Sequence, residues 1–191
     1  MAEARGSKTT VHLALDDDAG DSAIIELVDG EMVAHHGREF AIMTNDPTYA
    51  EQLELLAELD FSHPSRDMQL PGNVNPRDRF QRASYFQSML PAPKNDREAV
   101  AGVLAITRNV SVPFGAPYVD LGIYNMEYRT VCDLTNLRHF FELTTSPNVI
   151  WAGLHELDFA VGASVRTLGP DDIALSGEVS ASFREVASAP Y

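Results

Sequence analysis

The stretch Ser22-Ala-Ile-Ile-Glu-Leu-Val-Asp-Gly-Glu-Met-Val-Ala-His-His36 sets the terms for the fold. Ser22–Val28 and Glu31–His36 are runs of strand length separated by Asp29-Gly30, a dipeptide that accepts positive φ and favours a two-residue hairpin. More strands flank this pair. Upstream, Val11, Leu13 and Leu15 alternate with His12 and Ala14, which predicts a half-buried strand. Asp16–Asp18, Gly20 and Asp21 supply the turn that follows it. Downstream, Phe40–Thr44 reads as a fourth short strand, ending at Asn45-Asp46-Pro47, where proline stops a ladder.

The pattern changes after Pro47. Tyr49, Leu53, Leu56 and Ala57 fall at helical spacing and predict an amphipathic helix from about Thr48 to Asp60. Asn75 is a suitable N-cap and Pro76 a suitable first helical residue for a second helix, with Phe80, Ala83, Phe86 and Leu90 as its buried stripe. Asn95 caps a third, with Val100, Val103 and Leu104 facing inward. Val110–Tyr118, with its prolines and Gly115, is irregular. Strand patterns then return: Glu127–Leu134 and His139–Thr145 as an antiparallel pair around Thr135-Asn136, a strand starting at Asn148–Trp151, and a last short one at Ile173–Leu175. Strands, then helices, then strands indicate an α+β layered domain in place of a βαβ arrangement. No internal repeat or interdomain linker interrupts the order, so residues 1–10 are expected to be an unstructured start and residues 11–191 one domain portion.

Composition narrows the function classes. The formal charge of −14 argues against a nucleic-acid backbone or an anionic membrane surface as partner. It is unevenly spread. Residues 1–60 carry 3 basic and 14 acidic groups, whereas residues 61–130 carry 8 and 6. Six basic residues lie between Arg66 and Arg97, a local cationic stretch suited either to a solvated face or to an anionic small molecule. The lone Cys132 excludes an intramolecular disulfide framework, and no paired Cys/His spacing points to zinc, so no cofactor or metal is expected. No secretory signal pattern opens the sequence, which as written reads as cytoplasmic. Phosphate-loop, dinucleotide, zinc-protease and serine-elbow motifs are all missing. His35 and His36 are neighbours in a strand, so they face opposite ways and cannot chelate one ion together. A surface or rim role suits them.

Five polar-loop motifs carry more information: Met43-Thr-Asn-Asp-Pro-Thr-Tyr49, Leu70-Pro-Gly-Asn-Val-Asn-Pro-Arg-Asp-Arg-Phe80, Arg108-Asn-Val-Ser-Val-Pro-Phe-Gly-Ala-Pro-Tyr118, Glu127-Tyr-Arg-Thr-Val-Cys-Asp-Leu-Thr-Asn136 and Phe140-Phe-Glu-Leu-Thr-Thr-Ser-Pro-Asn-Val-Ile-Trp151. In this order the sequence resembles the choloylglycine hydrolase family, which includes bile salt hydrolases and penicillin V acylases, and most of all its Gram-negative branch. The resemblance runs from about Val11 to Ala181. It implies an N-terminal-nucleophile hydrolase with an αββα sandwich, cleaving linear amide C–N bonds of conjugated bile salts, penicillin V or acyl-homoserine lactones. It further implies homo-oligomers in the full-length family, and relatives of this branch that are often exported. Family members attack with an N-terminal cysteine thiolate whose own α-amino group handles protons.

Two of the family's site residues carry over to this sequence. Asn45, in the Thr-Asn-x-Pro motif, corresponds to the side-chain donor that helps bind the tetrahedral oxyanion. Losing such a donor typically costs on the order of 10²–10³ in rate. Arg79, in the Arg-Phe motif, completes the polar site. Read without the resemblance, Asn45 is a turn residue before Pro47 and Arg79 a surface arginine.

The rest of the family's machinery is missing. Ala2 and Glu3 follow Met1, no cysteine stands at the start, and the family's upstream Arg and Asp have no counterpart. Cys132 lies mid-strand, reads as a buried structural cysteine, and cannot offer a free α-amino group. The sequence therefore reads as the C-terminal portion of a sandwich whose N-terminal half is missing, and as inactive alone. The alternatives are a split amidase, in which a separate chain brings the nucleophile, and a non-catalytic binding module on the same fold. Strands deprived of their partners leave an apolar sheet surface, so self-association or poor solubility is also expected.

Overall fold

The computed structural model describes residues 12–117, 122 and 126–186; the expected unstructured start, Val11 and Tyr118 lie outside them. The chain divides into two compact units, Met1–Ala92 with Asn109–Ser111, and Pro93–Arg108 with Val112–Tyr191.

In the first unit the hairpin forms where the sequence places it. β2 (Ser22–Val28) and β3 (Glu31–His36) are antiparallel, and β1 (His12–Asp16) adds to the other edge of β2, giving the order β1-β2-β3. Asp29 and Gly30 take φ of 51° and 87°, positive at both central positions, as a right-twisted two-residue hairpin requires. Register puts His12 opposite Glu26 and Ile24 opposite His35. Alternation then divides the sheet into two faces. Ser22, Ile24 and Glu26 are buried, with Ile24 in the core beside Tyr49 and Phe80.

The other face carries Leu13, Leu15, Leu27 and Met32, all exposed. The sequence reading of β1 is thus inverted: Leu13 and Leu15 point outward, and the His12 side chain is only 1% exposed. Period-two alternation defines two faces without saying which is covered. Here the polar face wins because His12 finds polar partners across the sheet.

Phe40–Thr44 is not a strand. Its backbone groups go elsewhere: Phe40 N–H donates to Gly37 O, Phe40 O accepts from the Ser22 hydroxyl, and Thr44 is held by side chains. Phe40, Ile42 and Met43 still pack on the Ile24–Tyr49–Phe80 core. α1 covers Tyr49–Ala57, with Tyr49 and Gln52 fully buried. α2 covers Pro76–Ser88 and starts as expected: the Asn75 carboxamide accepts the Asp78 N–H at 2.9 Å and Pro76 is the first residue. It ends before the expected stripe does, so Leu90 is exposed, and the buried set is Phe80, Gln81, Ala83, Ser84 and Tyr85.

The second unit joins α3 (Asp96–Asn109) to a mainly antiparallel sheet of β4 (Tyr128–Asp133), β5 (Arg138–Leu143) and β6 (Val149–Gly153). Asn95 caps α3 through the Glu98 N–H. Leu104 is buried, but Val103 is exposed, contrary to expectation. The β4–β5 turn is closed by the Asp133 carboxylate, which accepts from the Asn136 backbone and side chain. Beyond β6, Ile173–Leu175 is not a strand: the carbonyls of Ile173 and Leu175 accept from the Asn148 side chain, and Ile173 is exposed. Short strands form instead at β7 (Arg166–Thr167), β8 (Gly177–Glu178, parallel to β6) and β9 (Arg184–Glu185, paired with β7). Two arginines meet one carboxylate inside this unit. Glu142, buried in β5, accepts from Arg129 Nε at 3.0 Å and from Arg108 Nε at 3.1 Å. The α+β content and the order of strands, helices and strands agree with the sequence reading.

Candidate active site

Asn45 and Arg79, 34 positions apart, meet in the first unit. Arg79 Nη2 donates to Asn45 Oδ1 at 2.8 Å, and its Nε donates to Val74 O at 3.0 Å. Asn45 sits at the exposed turn between Thr44 and the cis Asp46–Pro47 peptide, and Arg79 is half-buried in the first turns of α2. The loop before α2 is stitched to its own helix. Arg82 donates to the carbonyls of Pro71 and Asn73, and Asp78 accepts the Asn73 N–H. Arg79 therefore rests on a preorganised platform.

This contact decides how the Asn45 carboxamide is oriented. A guanidinium only donates, so the atom facing it must be the carbonyl oxygen. The NH₂ then points away, and among the described residues it donates to none. The result is an exposed amide donor with a cation behind its oxygen. Such a group suits an oxygen that becomes negative during a reaction.

Behind Asn45 lies a buried polar cluster that the sequence reading missed. Glu26 Oε1 accepts the Tyr49 N–H at 2.8 Å, where α1 begins. His12 Nε2 lies 2.8 Å from the same oxygen, and His35 Nε2 lies 3.8 Å from Oε2. His12 Nδ1 faces Thr44 O at 2.5 Å; a carbonyl only accepts, so Nδ1 carries a hydrogen. Burial, then the charges of Glu26 and Glu39, push the Tyr49 phenol up to about 12. His35 stacks edgewise on Phe40 and Tyr49 and is part-buried, with its side chain 20% exposed at the edge of the core. His36 does face outward, paired with Asp21 at 2.7 Å. The signal for Glu26 was present: it occupies the same face as buried Ser22 and Ile24, and apart from Ser22 the rest of the strand is apolar.

The remaining expected features are dispersed. Arg66 forms an exposed pair with Asp67, Arg79 and Arg82 serve the α2 loop, and Arg97 belongs to the second unit. There Arg97 and Arg138 rim a cleft of about 630 Å³ between α3 and the sheet, floored by Phe140, Val149 and Trp151. Cys132 is exposed, contrary to its reading as buried, with Sγ 3.4 Å from His139 Nδ1 on the neighbouring strand. It shares a strand face with Tyr128 and Thr130, both exposed, opposite the face of buried Val131. Among the described residues no cluster of three or more His, Cys, Asp or Glu could hold a metal ion, and no helix is long and apolar enough to cross a membrane.

Comparison with known proteins agrees with the motif order. The family model for linear amide C–N hydrolases of the choloylglycine hydrolase family matches residues 2–167. A penicillin V acylase from Pectobacterium atrosepticum is 36% identical over 201 residues, covering 96% of this chain and 53% of that protein. The structure of penicillin V acylase from Agrobacterium tumefaciens is 39% identical with a TM-score of 0.80, covering 92% of this chain and 56% of the other. A variant of conjugated bile acid hydrolase from Clostridium perfringens shares the fold, at 16% identity and a TM-score of 0.64 over 77% of this chain and 51% of its own. The chain spans about half the length of these relatives. With a family match over residues 2–167 and relatives at 36% and 39% identity, the chain belongs to the choloylglycine hydrolase family of linear amide C–N hydrolases.

Proposed function

We propose that this chain carries the oxyanion-binding side of a penicillin V acylase-type amidase, with Asn45 as the donor and Arg79 as the group that orients it. The hydrogen bond from Arg79 Nη2 to Asn45 Oδ1, 2.8 Å long, is the observation that supports this reading. It turns the Asn45 NH₂ outward and adds positive charge behind it. In the reaction the family implies, a thiolate adds to the amide carbonyl and the oxygen becomes an oxyanion that accepts from Asn45 Nδ2. Collapse then breaks the C–N bond as the leaving nitrogen takes a proton, and water hydrolyses the thioester. Cys132 has no part in this reading. It lies inside β4, and its amino group is committed to a peptide bond. The thiol and α-amino group come from polypeptide other than these 191 residues. Penicillin V is the favoured substrate because the relatives at 36% and 39% identity reported above are penicillin V acylases; conjugated bile salts come second.

The test is an amidase assay on penicillin V and on a glycine-conjugated bile salt. The chain alone is expected to give no turnover. Mixed or co-expressed with the N-terminal half of the Agrobacterium tumefaciens enzyme, it is expected to hydrolyse penicillin V, and Asn45→Ala to reduce that rate on the order of 10²–10³-fold. Hydrolysis by the chain alone, retained in Cys132→Ala, overturns the external nucleophile. A reconstituted activity indifferent to Asn45→Ala overturns the donor role.

A further inference from the structure

Gln52 lies in α1 among Tyr49, Leu53 and Leu56, where an apolar side chain would continue the stripe, yet it is 0% exposed. Burying a carboxamide is unfavourable unless its groups are bonded, and here all of them are. Oε1 accepts the Thr44 N–H at 3.0 Å, and Nε2 donates to Thr44 O at 2.9 Å and to Pro47 O at 2.7 Å. These are the backbone groups on either side of Asn45. One side chain thus grips the turn before and after the residue whose orientation matters.

The grip continues outward. Thr44 O also accepts from His12 Nδ1, and the Thr44 hydroxyl lies 3.1 Å from Pro76 O in the first turn of α2, the helix that carries Arg79. Glu26 holds the far end of the loop through the Tyr49 N–H. The turn has no ladder of its own, because Phe40–Thr44 is not a strand. Its backbone geometry is therefore set by side chains, and Gln52 contributes the most bonds. We propose that Gln52 is a positioning residue that sets the Asn45 carboxamide against Arg79. It acts through the Thr44 and Pro47 backbone and touches no reacting atom. The proposal rests on the reading of Asn45 and Arg79 as site residues.

Nitrogen–carbon correlation NMR of the full 191-residue chain, by magic-angle spinning so that self-association does not interfere, tests it without turnover. The wild type is expected to show Gln52 Nε2 close to the Thr44 and Pro47 carbonyl carbons, and the Arg79 guanidinium close to Asn45 Cγ, the latter assigned by its loss in Asn45→Ala. Gln52→Met, which keeps the volume, and Gln52→Glu, which replaces the NH₂ donor, are each expected to abolish the Arg79–Asn45 correlation while the β2–β3 hairpin signals stay in place. Absence of the Gln52 correlations from the wild type overturns the proposal with no variant required. So does persistence of the Arg79–Asn45 correlation in either variant. Failure of the Asn45→Ala assay would instead strike the active-site reading and leave the Gln52 coupling standing.

Discussion

Among the described residues each unit buries one carboxylate, and the two are satisfied by different kinds of partner. Glu142, in the second unit, is met by the guanidinium groups of Arg108 and Arg129. Glu26, in the first, is met by a backbone N–H and flanked by two histidines. Burial pushes the Glu142 carboxyl up, but hydrogen bonds from Arg129 and Arg108 and their charges outweigh it, holding the group below its ordinary 4.5. That cluster joins two strands and a helix with permanently charged groups, and it is a structural fastening. The Glu26 cluster ends on the loop that carries Asn45. Similar chemistry fastens strands and a helix in one place and fixes the loop that carries Asn45 in the other.

The largest expected effect comes from breaking the first cluster unevenly. Glu142→Leu removes the buried carboxylate that Arg108 and the mostly buried Arg129 share and should destabilise by about 3–5 kcal/mol in urea denaturation. The double variant Glu142→Leu with Arg129→Met should recover most of that loss. If it recovers nothing, Glu142 and Arg129 are not energetically coupled within the cluster. Glu26→Leu should cost less, about 1–3 kcal/mol for the orphaned Tyr49 N–H, but should loosen the Thr44–Tyr49 loop selectively. Hydrogen exchange at Tyr49 is the measure. Equal acceleration across the whole first unit would erase the contrast between fastening and shaping.

The smallest effect is read by pH. Because the folded-state pKa of Glu142 is depressed, its stabilising contribution is full above its ordinary 4.5 and fades as pH falls through the lower folded value. The stability difference between wild type and Glu142→Gln should be constant near neutrality and shrink below pH 4.5. A difference that grows on acidification would reverse the sign assigned to the arginines.

Local signals were enough to locate much of this. Asp29-Gly30 marks a hairpin by its backbone requirement, and Asn75-Pro76 starts α2 by capping chemistry, both independent of distant residues. The Asn45 and Arg79 motifs could be named from their order, and the structure joins them through one hydrogen bond. What the sequence could not convey depended on contacts between distant positions. Which face of β1 is covered turns on His12 meeting Glu26 and Thr44, 14 and 32 positions away. Phe40–Thr44 has strand composition but lends its polar groups to side chains. Gln52 looked like an interruption in a stripe, because its partners are backbone atoms that no pattern of residue types reveals.

Thr44 O accepts two hydrogen bonds, from Gln52 Nε2 and His12 Nδ1. That carbonyl shares a peptide unit with the N–H of Asn45. Electron density drawn toward a doubly bonded oxygen leaves the nitrogen end of the same unit more positive, by the cooperative polarisation that runs along hydrogen-bonded chains. The main-chain N–H of Asn45 is thereby a stronger donor than an ordinary exposed amide, strengthened through its own peptide bond by residues 12 and 52.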